Sequence, residues 1–205
     1  MSGQVRTGYC VPMILLCLAL SACGGGQQKE DAASAYRAPY QSMDGCTMEA
    51  RVTCSQEGLE ECYTLACTYH AEDGSAEVEV LEPEEISGVQ AALGADGCTL
   101  ECEELPFSVG AAGTRGLSPA GALPRLMSAL REGWLLEQNA EELDGTECLR
   151  LCLEQTGPEG GKIVSVLWLK ADHTPLRGEI EEDGQVILQV EFTKFEFDAI
   201  VDETL

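Results

Sequence analysis

From residue 46 to residue 197 apolar and polar side chains alternate with a period of two, the mark of half-buried β-strands. Cys46, Met48, Ala50, Val52 and Cys54 alternate with Thr47, Glu49, Arg51 and Thr53. After a polar turn at 56–61 come Tyr63, Leu65, Cys67 and Tyr69, and Asp73-Gly74 then signals a hairpin. Val78 and Val80 stand between glutamates before the breaker Pro83, and Val89, Ala91 and Leu93 form a further short strand. A Gly-Ala-Asp-Gly turn at 94–97 leads to Cys98, Leu100 and Cys102. Each hairpin is too small to stand alone, so the set predicts a meander.

The period changes once. Leu123, Leu126, Met127 and Leu130 recur at helical spacing, with Ser118 as the expected cap and Gly133 as the stop. Such a helix presents one apolar face, which a sheet can cover. Strands then resume at 134–143 and 147–155, joined by Asp144-Gly145; Leu149, Leu151 and Leu153 share one face, with Cys148, Arg150 and Cys152 on the other. Residues 163–169 are apolar on both faces, which predicts a mid-sheet strand covered above and below. Turns at 172–175 and Asp183-Gly184 lead to Val186, Leu188, Val190 and Phe192, with Phe195 and Phe197 expected on the opposite face. The fold class is mainly β (α+β): about ten antiparallel strands and one main helix.

The first 43 residues follow different rules. An apolar run at 11–20 ends in Leu20-Ser21-Ala22-Cys23, followed by three glycines. An apolar run before small residues reads as a secretory signal. The cysteine at the junction resembles the lipobox of bacterial lipoproteins, in which that cysteine is acylated and becomes the mature N-terminus. The run is shorter than the ~20 residues that span a bilayer. The expected division is therefore 1–22 signal peptide, 23–43 flexible tether and 44–205 folded domain, with Cys23 as lipid anchor. A short helix around 30–40, ended by Pro39, is compatible with the tether.

Charge narrows the partners. The chain carries 36 acidic and 12 basic residues, a formal charge of −24, which argues against nucleic acid and against adsorption to anionic headgroups. Attachment to the cell membrane, on its extracytoplasmic face, is then expected through acyl chains such as palmitate. Eight cysteines remain beyond Cys23, and the pattern leaves disulfides and free thiols equally open. No CxxC pair occurs and neither His70 nor His173 lies among cysteines, so no metal is expected.

The C-terminal third carries a family resemblance. The Trp-centred strand 166–170, the Thr174-Pro175 turn into 176–180, Gly184-Gln185-Val186, and the ending 190–195 with Phe192 and Phe195 resemble the close of LolA-like domains, the outer-membrane lipoprotein carrier and sorting proteins and their relatives. Residues 81–88 and Ser118-Pro119 are similar to lipoprotein members from Gram-positive bacteria. The resemblance implies a strongly curved antiparallel half-barrel whose concave side is capped by helix and can hold acyl chains or a hydrophobic partner segment.

Candidate chemistry is sparse. Glu84/Glu85 and Glu103/Glu104 are carboxylate pairs within a field of acidic surface, the histidines lack motif companions, and the glycines at 110–116 lack a phosphate-loop pattern. Cys148 and Cys152 lie roughly 13 Å apart along one strand, too far to bridge. No enzyme, catalytic residue or cofactor beyond the lipid on Cys23 is expected. Two functions follow: binding of an acyl chain, lipid or lipidated segment against Leu149, Leu151, Leu153, Leu167, Leu188, Val190 and Phe192; or a non-catalytic adaptor that docks an envelope or spore-associated enzyme.

Overall fold

The computed structural model describes residues 25–56, 59–94, 99–102, 117–157 and 160–198; Cys23 and the stretch 1–22 expected as a signal peptide lie outside them. After helix α1 (Gly25–Ser42) come β1 (Gly45–Gln56), β2 (Leu59–His70), β3 (Ala76–Glu82), β4 (Gln90–Leu93) and the short β5 (Thr99–Cys102). Helix α2 (Pro119–Glu132) precedes β6 (Trp134–Leu143), β7 (Thr146–Thr156), β8 (Lys162–Lys170), β9 (Pro175–Glu182) and β10 (Gln185–Phe197). All described strands form one antiparallel sheet in the order β5-β4-β3-β2-β1-β10-β9-β8-β7-β6. Two meanders, one before α2 and one after it, are thus joined where β1 pairs with β10. The sheet is open, with β5 and β6 at its edges.

Local chemistry sets the turns. Asp144-Gly145 and Asp183-Gly184 both take positive φ (51° and 81°; 50° and 79°), the two-residue hairpin geometry that matches strand twist. Ser118 Oγ accepts the Gly121 N–H at 3.1 Å and starts α2. Gly133 ends it by smallness rather than by left-handed backbone: its φ is −59°, and a Cβ there would lie 2.6 Å from the Ala129 carbonyl oxygen.

Helix α2 covers one face of the sheet and touches β1, β2, β7, β8, β9 and β10. Leu123, Leu126, Met127 and Leu130 are fully buried against it. Room for the helix comes from Gly178 on β9, where a Cβ would lie 2.4 Å from Leu126 Cδ1. In the register Gly178 stands between Leu167 and Val190, so the notch is walled by core residues on both neighbouring strands.

Three features depart from the sequence pattern. Residues 25–42, expected as a flexible tether, are helix, and α1 continues through Pro39. Tertiary anchors hold it there: Tyr40 is fully buried, Tyr40 Oη donates to the His173 carbonyl, and Arg37 Nε donates to the Leu130 carbonyl at 2.6 Å. Among the described residues the chain therefore has two α-helices where one main helix was expected. Second, Phe195 and Phe197 lie on the same face as Phe192. A bulge opposite Glu49/Ala50 adds one residue on β10, so Phe192 pairs with Ala50 while Phe195 and Phe197 pair with the core residues Met48 and Cys46. Third, β8 is buried on both faces, but among the described residues a second layer lies on one face only. On the outer face Val166 and Trp168 are covered by side chains of the same sheet: Arg150 and Arg177 lie 5.7 and 5.6 Å from the Trp168 ring, and Trp168 Nε1 donates to Glu141.

The notch yields a packing prediction. Leu126→Ala should cost about 2–5 kcal/mol and Gly178→Ala about 1–3 kcal/mol in urea unfolding, whereas the double variant should lose less than their sum because the new methyl enters the vacated space. Strict additivity would show that the two residues do not meet.

Candidate functional site

The seven residues expected to line a ligand groove do come together. Leu149, Leu151, Leu153, Leu167, Leu188 and Val190 are buried in one cluster, and Phe192 packs half-buried against it. They do not line an open groove, because α2 occupies that side of the sheet. Helix α1 in turn locks α2. Besides the Arg37 bond, Gln41 Nε2 donates to the Arg131 carbonyl at 3.3 Å, so the open C-terminal end of α2 is satisfied from outside. Arg131 donates onward to the Tyr69 hydroxyl and the Ala71 carbonyl, tying the helix end to the end of β2. Tyr40 packs against the Phe195 and Phe197 rings with centroids 5.9 and 5.1 Å away.

The other candidates are scattered. Glu84 and Glu85 are exposed in a single helical turn, and Glu103, Glu104 and the glycines at 110–116 lie outside the described residues. His70 is exposed at the end of β2, while His173 sits in the β8–β9 turn with positive φ, its ring 5.2 Å from that of Tyr36. Among the described residues no group of ligating side chains is placed to hold a metal. Cys46, Cys54, Cys62, Cys67, Cys148 and Cys152 are free thiols. Burial pushes Cys67 up to about 12, and it raises Cys46 as well, with further help from the neighbouring Cys67 and Asp198. These are packing residues and poor nucleophiles.

Uncovered apolar surface lies elsewhere, at the start of β6. Trp134 is 74% exposed and Leu136 is 49% exposed, the two large apolar side chains that stand out among the described residues. A bulge between Leu135 and Glu137 turns Leu136 out of the pairing with β7. Since Gly133 alone separates α2 from β6, the helix end fixes where Trp134 stands. Between β6 and α1 runs a groove of about 660 Å³ lined by Ala33, Arg37, Trp134, Leu136 and Gln138, among others. Gln138 is 9% exposed, and its Oε1 is buried without a hydrogen-bond partner among the described residues. Sequence reasoning missed this site. Its one signal was the unbroken Trp134-Leu135-Leu136, which breaks the period-two alternation at a strand start. A larger trough of about 970 Å³ on the outer face of β1–β4 is bordered by Glu49, Glu77 and Glu79, with Lys194 held on Glu49 at 2.7 Å.

No family model and no curated protein sequence matches the chain. Solved structures that resemble it include a putative outer-membrane lipoprotein-sorting protein domain from Vibrio parahaemolyticus (11% identity, 86% of this chain and 95% of that one, TM-score 0.41). A LolA superfamily protein from Nitrosomonas europaea is also similar (10% identity, 85% and 96%, TM-score 0.39), as is the Mycobacterium tuberculosis lipoprotein LppX (13% identity, 84% and 100%, TM-score 0.40). Likeness at these scores does not extend to ligand, partner or activity.

The buried thiols give a pH prediction. An unfolded thiol titrates near 8.5–9, while Cys67 keeps its proton to about 12 in the fold, so the folded state holds more protons between those values. Stability present below pH 8 should fall above it, by about 1.4 kcal/mol per pH unit for each such thiol. Denaturant midpoints from pH 8 to 11 check this, and Cys67→Ala should flatten the slope.

Proposed function

We propose that this chain is an extracytoplasmic lipoprotein, anchored to the cell membrane by acyl chains on Cys23, whose domain is a non-catalytic module that docks an envelope protein. The observation that carries this reading is the placement of apolar surface. The residues expected to receive a lipid are already covered by α2, whereas Trp134 and Leu136 are bare at the sheet edge. Isolated exposed apolar residues are ordinary, but two beside a groove at an unpaired edge mark a surface for another molecule.

Magnitudes weigh against storage of an acyl chain under α2. Lifting off Leu123, Leu126, Met127 and Leu130 forfeits roughly 6–12 kcal/mol at about 1.5–3 kcal/mol per side chain. A long acyl chain returns a similar sum at about 0.8 kcal/mol per CH₂. The exchange is close to neutral before the hydrogen bonds that α1 makes to the end of α2 are broken, so binding there would be weak. Hydrophobic-ligand binding stays as the second reading, favoured by the continuity of that apolar cluster across β7, β8 and β10.

Three measurements test the proposal. Mass spectrometry of membrane-extracted protein should find fatty acid on Cys23, lost in Cys23→Ser. Native mass of the chemically delipidated domain should find no co-purifying acyl species; a bound lipid would favour the second reading. A photo-crosslinking side chain at position 134 should give defined protein adducts in intact cells, and one at the exposed Cys62 should not.

A further inference from the structure

Strand β6 is a free edge: it pairs with β7 on one side and with no described strand on the other. Natural sheets blunt such edges with charge or bulges. Here the bulge at Leu136 instead projects an apolar side chain beside the exposed Trp134.

The groove along this edge has a sign. Glu132 and Glu137 border it, Glu141 and Glu142 continue the strand, and the whole chain carries −24. Against these four carboxylates stand two arginines: Arg37, which lines the groove, donates to the Leu130 carbonyl and keeps its charge, and Arg150, which pairs with Glu137 and Glu141 at 3.5 and 4.0 Å on the outer face. The excess is negative and favours a cationic occupant. Gln138 adds an independent observation. Its side chain is nine-tenths buried and lines the groove, and its Oε1 has no donor among the described residues. A buried acceptor left unpaired costs about 1–3 kcal/mol, a cost that an arriving N–H removes and an alkyl chain does not. A second copy of this chain fits poorly, because edge-to-edge pairing would bring Glu137, Glu141 and Glu142 of both β6 strands onto one seam.

We infer that the groove between β6 and α1 takes an extended segment of a partner protein that alternates basic and apolar side chains and adds a strand to the β6 edge. Its backbone bonds to the free edge, its apolar side chains cover Trp134 and Leu136, its basic side chains meet the carboxylates, and one of its N–H groups satisfies Gln138. This rests on the docking reading above and specifies the partner's chemistry.

The test uses the full chain in detergent micelles and three eight-residue peptides: alternating Lys/Val, alternating Glu/Val, and the Lys/Val peptide with two valines replaced by proline. The Lys/Val peptide should bind at least tenfold tighter than either of the others and blue-shift Trp emission. Trp134→Phe should remove that shift, since Trp168 is buried. Gln138→Leu should weaken binding about tenfold, and raising salt from 50 to 500 mM should weaken it further. Equal binding of all three peptides, or binding indifferent to both variants, overturns the inference, as does concentration-dependent dimerisation blocked by Leu136→Glu. Should the peptides fail while crosslinks from position 134 persist in cells, docking stands and the basic strand is wrong.

Discussion

The fold depends on one contact: the apolar face of α2 seated across the sheet at the notch left by Gly178. The two meanders meet only through β1 and β10, whose paired residues are far apart in sequence, and closing so long a loop is entropically costly. The helix offsets that cost because it touches strands of both meanders at once. A side chain at 178 would push against Leu126 and lift the helix from β9. The burial of the expected ligand residues and the position of Trp134 follow from the helix lying where it does.

Much of this was legible in the sequence because most strands bury one face only. Period-two alternation placed β1, β2, β7 and β10, the Asp-Gly pairs placed the turns, and Ser118 and Gly133 bounded α2. The failures have physical causes. A single inserted residue reverses parity, so the bulge opposite Glu49/Ala50 put Phe195 and Phe197 on a face that alternation could not assign. Helix α1 is weak by composition and is held by contacts with residues about 90 to 130 positions away, Leu130 and His173, which no local window contains. The outer cover of Trp168 by two arginines was equally hidden, since their register across β7, β8 and β9 brings them together only in the folded sheet.

The candidate site was less legible than the fold. Six of the seven residues expected to meet a ligand share one buried cluster with Phe192 packed against it, yet whether such a cluster is a cavity or a filled core depends on how closely a helix can approach, and here Gly178 lets α2 come close. The edge at Trp134 gave only a break in alternation. An exposed residue leaves little trace in a pattern that is written by burial.

The helical form of residues 25–42 changes what an anchor at Cys23 would do. A coil of that length would let the domain wander and tumble above the membrane. An 18-residue helix spans about 27 Å and is bolted at its far end by Tyr40 and Arg37. Were Cys23 acylated as proposed, a lipid would stand two positions before the first turn of α1, and the helix would act as a stiff spacer rather than a slack leash.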